Sequence, residues 1–223
     1  MTLTAAGQPG AAGDTHGMRV SARCLSLDPA FDLCGDWYLN LPQTDGSVLL
    51  AVGDAVGHGA AAAATMLRLR QAMIDSAQAG RSPGGILAEL NTAILQRYPT
   101  TTASAVVACY RPDGELTWAR AGHPPMLLAD RRGVRPLANP AGLLLGVLPG
   151  ETFEEATLRL LPGHLVIMYT DGMVERGTCI DEGIRELADR VGAGLRCPSR
   201  LLDQLDYRAL RDDVCVLIAE RTR

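Results

Sequence analysis

At 223 residues, with 47% hydrophobic and 21% charged side chains, the chain has the length and balance of one autonomously folding globular domain and not of a disordered or fibrous protein. A formal net charge of −4, with basic residues scattered singly or in short groups such as Arg131 and Arg132, excludes the basic field that a nucleic-acid partner requires. No apolar window approaches the ~20 residues needed to cross a bilayer, which argues against a membrane partner.

Residues 1–17 have neither a basic start nor a continuous apolar stretch. They do not resemble a secretory leader and are expected to form a flexible tail ahead of a single domain over residues 18–223. Apolar runs at Met18–Leu27, Asp36–Leu41 and Val48–Val52 read as strands, the last two joined by a turn of Thr44, Asp45, Gly46 and Ser47. Between Gly57 and Gly80 the period changes: Met66, Leu69, Met73 and Ala77 recur at helical spacing in an alanine-rich stretch. A second helix follows, with Ser82 placed to cap it, Pro83 at its first position, and Ile86, Leu90 and Ile94 on one face. Strands resume at Ala103–Tyr110 and Leu116–Ala121 around the turn residues Arg111 to Gly114, then at Met126–Ala129, Thr152–Leu161 and Leu165–Thr170. Helices are expected over Ile180–Val191 and from Pro198 to about Tyr207, before a final strand at Val214–Ala219. Grouped elements and sequential hairpins predict an α+β fold in which helices cover antiparallel sheets. Six cysteines (Cys24, Cys34, Cys109, Cys179, Cys197 and Cys215) lack any CxxC spacing, and several lie in apolar runs. This pattern fits reduced thiols in a cytoplasm.

The chemistry is expected from aspartates at strand ends. Asp36 lies in CGDWY, Asp54 ends VLLAVGD, Asp171 ends LVIMYTD, and Asp212 with Asp213 opens VCVLIA. Carboxylates with few histidines suit hard cations such as Mg²⁺ or Mn²⁺ and not zinc. Each has an ordinary alternative: a helix N-cap for Asp54, a solvated edge for Asp36, a turn for the Asp212–Asp213 pair. Asp171–Gly172 differs from the turns at Asp45–Gly46 and Asp113–Gly114, because ending so apolar a strand on a carboxylate is costly unless something positive receives it.

In order and approximate spacing, CGDWY, VGDAVGHG, ARAGHPPMLL, YTDGMVE and RDDVCVLI resemble the SpoIIE-type branch of the metal-dependent (type 2C, PPM) protein serine/threonine phosphatases, over roughly Met18 to Glu220. The resemblance implies a four-layer α-β-β-α sandwich with a centre of two Mn²⁺ or Mg²⁺ ions at one edge. It also implies hydrolysis of phosphoserine or phosphothreonine on a partner protein by a water held between the cations. Asp54 matches the aspartate that bridges both metals, the backbone carbonyl of Ala55 matches a further ligand, and Asp36, Asp171 and Asp212 match the other carboxylates, with Asp213 ranked behind Asp212. The expected substrate is a phosphorylated anti-sigma-factor antagonist in a bacterial signalling circuit. Cys34 and Leu39 depart from the common GGDWYD pattern, and Val56 stands where serine is frequent.

His58 in GHG is a candidate proton donor with capping as its plain alternative, and His123 in AGHPP is expected to shape a loop near the site. The Cys179-x5-Arg185 spacing is taken as chance, since Asp181 and Glu182 would repel phosphate there. Two other functions compete: a catalytically silent docking module of the same fold, and a hydrolase of small phosphomonoesters.

Overall fold

The computed structural model describes residues 13–26, 34–57, 59–98, 101–175, 179–195, 200–205, 207 and 212–223. In chain order the strands are β1 (Gly13–Thr15), β2 (Met18–Leu25), β3 (Asp36–Pro42), β4 (Val48–Ala55), β5 (Ala103–Tyr110), β6 (Glu115–Ala121), β7 (Leu127–Asp130), β8 (Gly133–Pro136), β9 (Glu155–Arg159), β10 (Leu165–Tyr169) and β11 (Val214–Arg221). Helices α1 (Gly59–Gln78) and α2 (Pro83–Arg97) separate β4 from β5, and α3 (Ile180–Gly194) and α4 (Leu201–Gln204) precede β11. The strands form two antiparallel sheets, ordered β1-β2-β11-β10-β7-β8 and β3-β4-β5-β6-β9.

Period-2 alternation builds the layers, because the central strands are buried on both faces. In β4, Val48, Leu50 and Val52 point between the sheets, while Leu49, Ala51 and Ala55 meet the Met66, Leu69, Met73, Ile86, Leu90 and Ile94 faces of α1 and α2. In β11, Cys215, Leu217 and Ala219 point between the sheets, and Val214, Val216 and Ile218 meet Ile184, Leu187 and Val191 of α3. The result is helix on sheet on sheet on helix, the α-β-β-α sandwich expected. Each fully buried Leu, Ile or Val contributes roughly 1.5–3 kcal/mol, so three contiguous cores specify the order of layers strongly.

The local signals acted as read at both β-hairpin turns and at α2. Asp45 Oδ1 accepts from the Ser47 N–H in the β3–β4 turn, and Ser82 caps α2 by accepting from the Gly85 N–H. Elsewhere the boundaries move. The expected Thr152–Leu161 strand is ordered as a strand only over Glu155–Arg159, and the helix expected from Pro198 shrinks to Leu201–Gln204, with Pro198 outside the described residues. The strands β1 and β8 were not foreseen, since GDT and GVRP carry no apolar alternation to read. β1 extends regular structure into the stretch expected as a tail: His16 and Gly17 both adopt positive φ (54° and 82°), the conformation of a two-residue hairpin turn. Residues 1–12 lie outside the described set.

The cysteine reading also changes. Cys24 and Cys215 are direct partners in the β2–β11 register, with Cα atoms 4.1 Å apart, and they form a disulfide that joins these two neighbouring strands of one sheet. Separated by 191 residues, they could not be paired from spacing.

Candidate metal centre

The four strand-end aspartates meet at one end of the sandwich. Asp36 opens β3 and Asp54 nearly closes β4, and the antiparallel register sets them directly opposite one another. Ser104 of β5 is the next residue in the same row, across from Asp54. All three share parity with Val52 and Val106, so they occupy the face that looks toward the second sheet. From that sheet β10 ends at Tyr169, and its exit carries Thr170 and Asp171 into a single 3₁₀ turn over Asp171–Met173. Asp212 precedes β11, the neighbour of β10.

Glycines allow the close approach. A Cβ on Gly172 would stand 2.1 Å from the Asp213 carbonyl oxygen and 3.2 Å from Asp212 Cβ, which seats the Asp171 turn against the start of β11. A Cβ on Gly35 would lie 2.5 Å from the Ala55 carbonyl oxygen and 3.0 Å from Asp54 Oδ1. The Ala55 carbonyl thus lies beside Asp54 at the same edge. Among the ordinary alternatives, the solvated-edge reading of Asp36 fails because the residue is 5% exposed, and the cap reading of Asp54 fails because α1 begins at Gly59.

Burial and mutual repulsion push these acids up. Asp36 is held well above the usual carboxylate range, first by burial and then by the Asp54 charge, and the two side chains are close enough to hydrogen-bond. Asp54 is raised to about 6 by burial and by the Asp171 charge, with smaller contributions from Asp212 and Asp213. Asp171 is raised by burial and by the nearby Glu175 carboxylate. Every basic residue of the chain is an arginine, and the arginine ion pairs among the described residues engage Glu220, Asp203, Glu89, Glu115 and Asp130, none of these four acids.

The donor set fits hard cations: it consists of oxygens, it has no arginine ion-pair partner among the described residues, and it is partly withdrawn from water. A thiol beside it, Cys34, is pushed up to about 12 by burial and by the Asp36 charge, so it stays protonated and offers no thiolate. As the side chains stand, no three acidic, histidine or cysteine groups among the described residues are gathered at ligating distance. The clustering rests on the β3–β4 register, on the Asp36–Asp54 contact and on electrostatic coupling to Asp171 and Asp212.

Three neighbours escaped the sequence reading. Thr170, fully buried, donates its hydroxyl to Asp36 Oδ2 at 2.7 Å. Ser104 bonds to His123 Nδ1 at 2.7 Å, and Glu175 approaches Asp171. The one available signal was a threonine closing the apolar run LVIMY, a place where an unpartnered hydroxyl is costly. His123, read as a loop-shaping residue, is 2% exposed and bridges the sheets: Nδ1 meets Ser104 of β5, and Nε2 meets the Tyr169 carbonyl of β10 at 3.0 Å. The carbonyl can only accept, so Nε2 carries the proton and Nδ1 accepts from Ser104. Burial lowers its pKa to about 3, leaving a neutral ring with both nitrogens engaged. His58 lies outside the described residues. Cys179 sits exposed ahead of α3 and Arg185 within that helix.

Residues 44–222 match the family described as Stage II sporulation protein E (SpoIIE). The chain belongs to the SpoIIE family. It is 26% identical over 164 residues to the phosphoserine phosphatase RsbU of Bacillus subtilis (strain 168), a match covering 72% of this chain and 48% of RsbU. The chain therefore spans about half the length of that relative. The crystal structure of the RsbU and RsbW domains of Rv1364c from Mycobacterium tuberculosis superposes with a TM-score of 0.85 at 30% identity, covering 92% of this chain and 60% of that one. The catalytic domain of the serine/threonine phosphatase PstP, solved in complex with two manganese ions, shares the fold with a TM-score of 0.63 at 16% identity, covering 92% of this chain and 99% of that one.

Proposed function

We propose that this SpoIIE-family chain is a metal-dependent protein serine/threonine phosphatase acting on a phosphorylated partner protein, an anti-sigma-factor antagonist. The observation that carries the reading is the convergence of four aspartates, from β3, β4, the β10 exit and the start of β11, on one end of the sandwich without an arginine partner among the described residues. The relative named phosphoserine phosphatase supports phosphoserine as the group hydrolysed. The family resemblance supports the antagonist as the protein that bears it.

Asp36, Asp54, Asp171, Asp212 and the Ala55 carbonyl would hold two Mn²⁺ or Mg²⁺ ions. When bound, the ions supply Lewis acidity toward the phosphoryl oxygens and toward the attacking water. The chain's own residues do the rest. Left to themselves, four clustered carboxylates repel a phosphomonoester, so the cleft's charge makes substrate binding conditional on cations. Asp54 touches the fields of Asp36, Asp171 and Asp212 at once, which places it at the centre of the set. Thr170 and His123 are buried and hydrogen-bonded, and they orient strands instead of exchanging protons with substrate.

Incubation with p-nitrophenyl phosphate and with a serine-phosphorylated antagonist, each with Mn²⁺ and with EDTA, tests the proposal. Manganese-dependent release from the phosphoprotein is expected. Turnover of the small ester alone identifies a small phosphomonoester hydrolase, and turnover of neither identifies a silent docking module.

A further inference from the structure

We infer that Thr170 is a positioning residue whose single hydroxyl sets the orientation of Asp36 and ties together the three elements that carry Asp36, Asp171 and Asp212. The inference rests on the metal-centre reading above and deepens it.

Thr170 follows β10 with the parity of Val166 and Met168, so its side chain enters the space between the sheets. There it is wholly shielded from solvent. Its Oγ1 accepts from the Cys215 N–H at 2.8 Å and donates to Asp36 Oδ2 at 2.7 Å. The hydroxyl has one proton to give. The other acceptor near it, the Cys215 carbonyl, is 3.5 Å away, so the proton is committed to Asp36. The Thr170 backbone N–H donates separately to that Cys215 carbonyl at 3.0 Å, which clamps the end of β10 to the start of β11.

These bonds define a hub. Asp36 belongs to the first strand of one sheet, Asp171 is the next residue after Thr170, and Asp212 lies three residues before Cys215. One hydroxyl thus bridges the two sheets at the point where three acidic side chains emerge. Because it engages Oδ2, it fixes the rotation of the Asp36 carboxyl and leaves Oδ1 free of Thr170. Outer partners that orient a ligating carboxylate typically change metal affinity by about 10–100-fold when removed. A methyl in place of the hydroxyl would keep the volume and lose the donor.

The test measures Mn²⁺ binding by the apoprotein through isothermal titration calorimetry, with circular dichroism in EDTA to verify the fold. Thr170→Val is expected to weaken Mn²⁺ binding about 10–100-fold, and to raise the Mn²⁺ concentration needed for half-maximal activity more than it lowers kcat at saturating Mn²⁺. Thr170→Ser, which retains the hydroxyl, is expected to restore most of the affinity. If Thr170→Val does not fold, Thr170→Ala removes the same donor without a second methyl and carries the same expectation. A folded Val or Ala variant with wild-type affinity overturns the inference, as does a Ser variant as weak as Val, which would assign the effect to packing. Wild-type protein that binds no Mn²⁺ overturns the metal centre itself, so the two failures are told apart.

Discussion

At Asp54 the proposed metal centre would set activity against the stability of the metal-free fold. Its carboxyl, raised from 3.8 to about 6 by burial and by Asp171, favours the protonated form in the folded state. The sign follows from linkage: between these values the folded chain binds more protons than the unfolded one, so the stability of the metal-free protein falls as pH rises through this window. A shift of that size corresponds to about 3 kcal/mol of destabilisation at neutral pH. Asp54→Asn is therefore expected to raise the melting temperature in EDTA at pH 7.5 while nearly abolishing Mn²⁺-dependent turnover, and the stability gain should shrink below about pH 6 and vanish near pH 4. Thermal denaturation across that range checks it; a variant less stable than wild type at pH 7.5 contradicts the repulsion described.

At the scale of elements, the site depends on two sheets meeting in one register. His123 supplies a polar tie between them, from Ser104 on β5 to the Tyr169 carbonyl at the end of β10. His123→Ala leaves both partners buried without a bond, at an expected cost of about 2–4 kcal/mol, measurable by urea denaturation. Its pKa, lowered to about 3, adds a pH signature. The folded ring stays neutral while the unfolded one takes a proton below about 6.5, so His123 costs stability as pH falls from 6.5 toward 3. That acid-side loss should be smaller in the alanine variant. The β-hairpin turns and the α2 cap were legible in the chain because Asp45, Gly46, Ser82 and Pro83 act within a few residues of themselves. The strands β1 and β8 were not, because they are held by their partners and not by an apolar pattern of their own.

For the whole molecule, the cleft concentrates negative charge where residues far apart in the chain converge. Cations that bind only the folded state stabilise it by mass action, about 2.7 kcal/mol at a hundredfold excess over Kd. Saturating Mn²⁺ is expected to raise the melting temperature by roughly 5–10 °C for a chain of this size, with EDTA reversing the shift and Asp54→Asn abolishing it. An unchanged melting temperature for wild type in Mn²⁺ would count against the centre.

The order of the apolar strands and of the helices, and the strand-end positions of Asp36, Asp54 and Asp171, were determined by the sequence alone, since side-chain period, turn chemistry and helix capping are local. Which acids become neighbours was decided by tertiary structure. The β3–β4 register sets Asp36 opposite Asp54, sheet packing brings Thr170 to Asp36 across 134 residues of chain, and the β2–β11 pairing joins Cys24 to Cys215. Such contacts depend on how hydrophobic faces close over long loops, and no local pattern in the chain encodes the distance between two strand ends.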